Sequence, residues 1–410
     1  FTEHAMDFIE TNREKPFFCY IPFNTPHSPM MISDHFYGKF EGKDPAMQHR
    51  DPEREDVMMT RAALAMCENI DWNVGRILKK LDDLKLSDDT IVIYFSDNGP
   101  NSYRWNGGMK GRKGTIDEGG LRSPFFIRWP NNLPAGARIP QITGAIDLLP
   151  TLAELVGIDV KSNKPIDGRS FHPLLLDKES TWEPRTLFAI KGNQVSVRTQ
   201  RFRLDAAGQL FDIEKDRGQR TNVAKRHPQV AAELLSQAKM HNKKMQVDFN
   251  KYAQRPFTVG YGPSTTLPAR DGVEHGTIKR SSTAPNNSFF THWTSADDSI
   301  TWDVDVGKTG EYEVTVFYTC ADGNEGATLI LSMENANSVQ AKVLDVFDPP
   351  LYDKSKERVS NSHYFVKDFN PLKLGKLHLE MGTGTLRLGA LDIKGKQVVD
   401  VHSLKLNLID

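Results

Sequence analysis

Cysteine is scarce. The 410-residue chain has three, Cys19, Cys67 and Cys320, an odd and small number that makes no disulfide framework. No two of them stand in CxxC spacing, so neither a zinc site nor a redox pair is indicated. An excess of charge of one sign is missing too. Lysine plus arginine total 52 and aspartate plus glutamate 53, a net charge of −1. Non-specific nucleic-acid binding needs a basic footprint, which this balance does not supply. No apolar run approaches the roughly 18 residues of a membrane span. No tandem repeat is evident. The chain opens on Phe1 rather than methionine, and residues 2–10 already carry helical spacing, with Ala5, Phe8 and Ile9 on one side. Further sequence upstream is therefore expected. What is present is ordinary for a globular protein, 38% apolar and 26% charged. At about 150 residues per domain the length suggests two or three domains.

The first half alternates helices with apolar runs. Residues 16–23 (PFFCYIPF) precede a loop, Asn24-Thr25-Pro26-His27-Ser28-Pro29. Met66, Ile70, Val74, Ile77, Leu78, Leu81 and Leu84 recur at spacings of three and four, which predicts one long amphipathic helix over 60–84. Residues 90–95 (TIVIYF) are apolar on both faces and β-branched, as in a strand buried in a parallel sheet. A second strand is expected at 124–129 (PFFIRW). A helix is expected over 143–157, with Pro150 in its first turn and Gly157 as C-cap. This order argues for an α/β layered domain over 1–185. QVSVRT, FRLD and LFDI then read as short antiparallel strands. A helix from 228 to 245 follows, its buried side Val230, Leu234, Leu235 and Ala238, making a small α+β subdomain of 186–255. Residues 255–283, rich in Pro, Gly, Ser and Thr, suit a linker or domain entry. Beyond them apolar residues alternate, as in Trp302-Val304-Val306, Tyr312-Val314-Val316-Tyr318 and Leu404-Leu406-Leu408, which predicts a β-sandwich over 256–410.

The residues best placed for chemistry follow the TIVIYF strand, because ligands of open α/β sheets sit beyond the carboxyl ends of strands. Asp97 and Asn98, followed by Gly99, can offer two oxygens to a hard cation. Asp-Asn-Gly is also plain turn chemistry. The loop 103–120 then gathers Arg104, Lys110, Arg112 and Lys113 among glycines. Cationic side chains suit an oxyanion and glycines allow close backbone approach; a mobile solvated loop is the plainer alternative.

Residues 113–124 (KGTIDEGGLRSP) closely resemble the KGxxxEGGxRxP signature of the type I sulfatases, arylsulfatase-like enzymes of the alkaline phosphatase superfamily. Ser96-Asp97-Asn98-Gly99 resembles their metal-binding SDNG turn. Pro16-Phe17-Phe18 with Thr25-Pro26-His27-Ser28-Pro29 resembles their PFF…PHxP segment, and Asp147-Leu148-Leu149-Pro150-Thr151-Leu152 their DLxPTL helix. Leu210-Phe211-Asp212-Ile213 with Asp216 and Thr221-Asn222 resembles their closing segment. Five motifs in order make the resemblance specific over 16–222; it does not reach past about 255. It implies an α/β fold, being the carboxyl-side part of a sulfatase domain. It also implies that Asp97 and Asn98 are ligands of one calcium ion, that Lys113 contacts the sulfate, and that His27 contacts it near the leaving oxygen as a candidate proton donor. Calcium takes such oxygens, lysine stabilises charge on a transferring group, and histidine gives a proton near neutral pH. Glu118 and Arg122 would tie the loop down by hydrogen bonds. Arg104, Lys110 and Arg112 would meet an acidic sugar.

The departure is as informative. The family nucleophile is a formylglycine made in a C/S-x-P-x-R segment, and none of the three cysteines fits it. The family's paired aspartates are missing too, since Asp82-Asp83, Asp88-Asp89 and Asp297-Asp298 stand where caps and turns belong. In family order both lie upstream of Phe1. The expected protein is a calcium- and formylglycine-dependent sulfatase acting on a carbohydrate or aryl sulfate, periplasmic or secreted, with no nucleic-acid partner. The alternatives are a phosphate or phosphonate ester hydrolase of the same superfamily, and a glycan-binding fragment acting through its sandwich. Phe289, Phe290, Trp293, Trp302 and Tyr318 would give such a sandwich an aromatic face, or simply fill its core.

Overall fold

A computed structural model describes residues 1–176, 181–252, 255–282, 288–334, 337–352, 357–359 and 367–409. The chain divides into two compact units, Phe1–Asn250 and Lys251–Asp410.

The first unit carries helices α1 (Thr2–Thr11), α2 (Asp34–Tyr37) and α3 (Val57–Asp83), then strand β1 (Val92–Phe95), helix α4 (Glu118–Leu121) and strand β2 (Phe125–Arg128). Helices α5 (Leu148–Leu155) and α6 (His172–Leu176) follow, then strands β3 (Leu187–Lys191), β4 (Gln194–Arg198), β5 (Phe202–Leu204) and β6 (Leu210–Asp212), and helix α7 (Pro228–Tyr252). Asp56 caps α3 by accepting from the Met59 amide at 3.1 Å. The stripe read from the sequence is its inner face, with Met66, Ile70, Ile77 and Leu81 buried. Ile77 and Leu81 pack with Ile9 of α1, with Phe17, Ile21 and Phe23 of the PFFCYIPF run, and with Val92 of β1. That packing fixes the root of β1 and hence the turn at its end. Gly157 stops the chain after α5 with φ +68°, the left-handed C′ conformation that glycine adopts without strain.

The pairing of β1 differs from the expected parallel sheet. It runs antiparallel to β2, Val92 opposite Arg128 and Phe95 opposite Phe125. A parallel pair needs a crossover, usually a helix, and between β1 and β2 the only helix among the described residues is the single turn α4. The strand is half-buried rather than enclosed, and Phe95, Phe125 and Phe126 are exposed. Strands β3 to β6 form an antiparallel four-stranded meander. Val197, Leu204 and Leu210 on the sheet pack with Leu234 and Ala238 of α7. Leu235, expected on the same side, is exposed.

The second unit consists of β7 (Phe257–Val259), β8 (Ser264–Pro268), β9 (Val273–His275), β10 (Lys279–Arg280), β11 (Phe290–Thr291), β12 (Ser299–Val306), β13 (Gly310–Thr319), β14 (Thr328–Met333), β15 (Val339–Lys342), β16 (Asn370–Leu379), β17 (Gly382–Ala390) and β18 (Asp400–Ile409). They make two six-stranded sheets, one ordered β10-β11-β18-β13-β16 with β8 beside β18, the other β15-β14-β17-β12-β7 with β9 beside β12. One core lies between them, where Trp302, Val304, Leu386 and Leu388 of one sheet meet Tyr312, Val314, Leu404 and Leu406 of the other. Of the two readings of 255–283, linker or domain entry, the strands favour entry into the sandwich. Residues 257–280 supply β7 and β9, which pair with β12, β8, which pairs with β18, and β10, which pairs with the equally short β11; Thr283 lies outside the described residues. Strands of two to five residues are too short to display a period. Phe289, Phe290, Trp293, Trp302 and Tyr318 are all buried, so these aromatics fill the core rather than a sugar-facing surface.

Candidate active site

The turn after β1 and the glycine-rich loop are locked together by backbone. The Gly99 amide donates to the Gly120 carbonyl at 3.0 Å, and the Lys113 amide to the Pro100 carbonyl at 2.8 Å. The Ser123 hydroxyl reaches the Ser96 carbonyl at 2.6 Å. A Cβ on Gly99 would stand 1.8 Å from the Gly119 carbonyl oxygen, so only glycine allows this approach. The glycines at 99, 119 and 120 thus serve contact between two stretches of chain, where the sequence suggested contact with a ligand.

These bonds join the turn that carries Asp97 and Asn98 to the loop that carries Lys113. Asp97 is exposed and Asn98 half-buried, and the Asn98 amide donates to the Asp97 carboxylate at 2.5 Å. Among the described residues no cation pairs with Asp97, so its carboxylate and the Asn98 amide oxygen remain available to a metal. They are hard oxygen donors of the type calcium takes, and they are two of the six to eight it requires. No cluster of three or more His, Cys, Asp or Glu suited to a metal occurs among the described residues. The residues therefore fit one side of a calcium shell. Lys113 is half-buried, and its ammonium has no carboxylate partner among the described residues.

His27 sits on the separate loop 24–29. Its Nδ1 lies 2.8 Å from the Ser28 carbonyl oxygen. A carbonyl only accepts, so Nδ1 carries a proton and the neutral ring keeps its basic lone pair on Nε2.

The other cations of the loop are placed differently from one another. Lys110 bonds Asp205 at 2.9 Å and Asp117 at 3.3 Å. Burial pulls its pKa down, but the two carboxylates outweigh burial and the net shift is upward. Its charge is thus met inside the protein. Arg104 is half-buried and donates to the Ser102 hydroxyl at 3.1 Å; burial lowers its pKa, against opposing pulls from Cys67, Asp56 and Glu55. Arg112 donates to the Asn101 carbonyl at 2.6 Å, and its guanidinium carbon lies 4.8 Å from the Tyr103 ring centroid.

Glu118 holds the whole loop down. It is buried, and its carboxylate meets Arg203 at 2.8 Å and Arg198 at 3.2 Å, with Arg122 farther at 3.4 Å. Arg203 is itself 3% exposed and donates to the Ser196 hydroxyl at 3.0 Å. Burial alone would raise the Glu118 pKa, but Arg198, Arg203 and Arg122 outweigh it and hold the carboxyl below its ordinary value. The glycine loop is therefore bolted to the meander by a buried charge cluster. Arg198 and Arg203 escape a sequence reading because nothing local marks a strand arginine as inward-facing; the available signal is the position of Arg203 between the apolar Phe202 and Leu204. The DLLPTL segment is a second brace. Asp147 is fully buried and bonds Arg185 at 2.7 Å, the Gly144 amide at 2.8 Å and the Arg169 amide at 2.8 Å.

The chain is similar to known proteins. The family described as Sulfatase matches residues 1–158. The family described as N-sulphoglucosamine sulphohydrolase, C-terminal, matches residues 112–247. Over residues 1–247 the chain is therefore similar to the sulfatase family. Human steryl-sulfatase is 33% identical over 197 residues, 46% of this chain and 31% of the relative. The N-acetylgalactosamine-6-O-sulfatase of Bacteroides thetaiotaomicron is 29% identical over 266 residues, 57% of this chain and 48% of the relative. The chain thus spans a third to a half of the length of these two relatives. Among solved structures, Ps i-CgsB aligns with a TM-score of 0.51 at 24% identity, covering 62% of this chain and 59% of its own, a likeness of fold.

Proposed function

We propose that the protein is a sulfuric ester hydrolase that removes sulfate from a sulfated carbohydrate or an aryl sulfate, in a compartment outside the cytosol where calcium is plentiful. The observation that carries this reading is the half-buried Lys113, which lies on a loop bonded to the Asp97-Asn98 turn. Its ammonium has no acidic partner among the described residues. A cation left unpaired beside two oxygen donors suits a bound anion–cation pair. We read residues 1–185 as the carboxyl-side part of the catalytic domain, 186–255 as its subdomain and 256–410 as an accessory sandwich.

Asp97 and Asn98 would hold calcium, which polarises the ester's oxygens as a Lewis acid, while a formylglycine hydrate supplies the nucleophile when the protein carries one. Lys113 binds the sulfate oxygens and stabilises charge that grows on them. His27 gives a proton from Nε2 to the leaving alkoxide as the ester's S–O bond breaks. Its Nδ1–H stays on the Ser28 carbonyl and fixes the ring. Lys110 acts here as a brace. Arg104 and Arg112 are kept as contacts to an acidic substrate.

The test is to express the natural gene product with a formylglycine-installing enzyme, verify the aldehyde by mass spectrometry, and assay sulfate and phosphate esters side by side. Sulfate release is the expected result. An aldehyde-bearing protein that releases phosphate alone, or neither anion, would overturn the assignment.

A further inference from the structure

Next to Lys113 the loop carries a second positive patch without an acidic partner among the described residues, of which the reading above uses Arg112 alone. It is centred on Tyr103. The guanidinium carbon of Arg54 lies 3.9 Å from the Tyr103 ring centroid and that of Arg112 4.8 Å from it. Each geometry is a cation–π contact. The edge of His49 closes on the same ring, with centroids 5.3 Å apart.

The patch is built by fixed parts rather than by a chance meeting of surface side chains. The Asp56 amide donates to the Tyr103 carbonyl at 2.9 Å, which joins the loop before α3 to the loop after β1. Glu55, one residue after Arg54, accepts from the His49 amide at 2.5 Å and from the Thr60 hydroxyl at 2.5 Å. Arg220 bonds Asp51 at 2.9 Å. Acids of this loop are thus engaged beside the patch, yet among the described residues neither Arg54 nor Arg112 has a carboxylate within ion-pair distance. Two guanidinium charges held against one ring repel each other. An anion held nearby offsets that repulsion, and guanidinium forks match the planar or tetrahedral oxygens of carboxylate and sulfate. Arg112 directly precedes Lys113 in the chain, so such an anion would belong to the same substrate molecule as the ester at Lys113.

We propose that Arg54 and Arg112, carried on Tyr103, form a subsite for a second anionic group of the substrate, so that the preferred substrates are saccharides bearing at least two acidic groups. This rests on the sulfatase reading above and names its substrate class.

The experiment titrates the full-length protein calorimetrically with a chondroitin disaccharide bearing one sulfate and with its disulfated counterpart, and measures sulfate release from both in parallel. The wild type should bind the disulfated sugar at least about tenfold more tightly, with about tenfold of discrimination per guanidinium. Arg54→Gln and Arg112→Gln should each shrink that preference, and the double variant should abolish it. Arg54→Lys should retain part of it, because charge survives while the fork is lost. Thermal midpoints check that the variants fold; should Arg112→Gln fail, Arg54→Gln, on an exposed side chain, carries the test alone. A wild type without the preference, or a preference that persists in the arginine variants, overturns the subsite. If sulfate is still released in that case, the sulfatase reading stands alone. If the preference depends on the arginines and no sulfate is released, the subsite stands and the reaction is wrong.

Discussion

Glu118→Gln is the sharpest probe of how the loop is held. The substitution keeps shape and removes one charge from a cluster in which Arg203 is 3% and Glu118 4% exposed. Arg203 and Arg198, at 2.8 and 3.2 Å, would then face an amide instead of a carboxylate. Removing one partner of a buried ion pair costs about 3–5 kcal/mol, because the remaining charge is left uncompensated. For a unit of this size each kcal/mol moves the melting temperature by about 2–4 °C, so the drop should be about 6–20 °C. Scanning calorimetry of the 410-residue chain measures it. The pH dependence gives an independent check. Folding lowers the Glu118 pKa below 4.5, so its stabilisation is complete above that pH and is lost as the pH falls through the depressed folded value. The gap between wild type and Glu118→Gln should therefore close on acidification below 4.5. A double-mutant cycle with Arg203→Met should return a coupling of about 1–3 kcal/mol. A loss under about 1 kcal/mol at neutral pH, or a gap that does not narrow in acid, would refute the idea that this cluster fixes the loop.

Further outcomes follow from the same geometry. Lys113→Ala should cut sulfate release about 10²–10³-fold while leaving the melting temperature within the range of a neutral surface change; a large loss of stability would mark the lysine as structural. Gly99→Ala places a Cβ 1.8 Å from the Gly119 carbonyl and should destabilise by about 2 kcal/mol or more, read by denaturant unfolding. Lys110→Met removes the bonds to Asp205 and Asp117. Its side chain is 35% exposed, so the expected cost is about 1 kcal/mol of stability, with substrate affinity unchanged. Asp147→Asn should cost about 2–4 kcal/mol by leaving Arg185 buried without its anion.

Much of the frame is legible in the sequence because burial imposes a period. The stripe of α3, the alternation of β12, β13 and β18, and Gly157 as a stop all follow from local geometry that every residue in the segment repeats. The failures are equally physical. Residues 257–280 read as a linker or domain entry, without individual strands, because two to five residues cannot display a period. TIVIYF reads as an enclosed parallel strand because side-chain pattern reports which faces are apolar and not which neighbour pairs with the edge. Leu235 and Phe8 are apolar yet exposed, since hydrophobicity does not compel burial. The candidate site divides in the same way. Motif spacing marks Asp97, Asn98, Lys113 and His27, whereas Arg54 lies some sixty residues before Arg112 in the chain, in no motif, and joins it only through folding.

The loop's cations look alike in the sequence: Lys110, Arg112, Lys113 and Arg122 fall within thirteen residues. The fold separates them by what faces each. Lys110 meets two aspartates and Arg122 shares Glu118 with the meander's arginines, so their charges are answered from within, and substituting them should register in stability. Lys113 and Arg112 have backbone contacts but no acid among the described residues. Leaving a cation unanswered on a braced loop yields no stability, and under the proposed function the answering anion is the substrate's. The glycines that press Gly99 against Gly119, and the buried Glu118 cluster behind them, then have a common purpose: they hold those charges still, so that the substrate does not bear the entropy of ordering them.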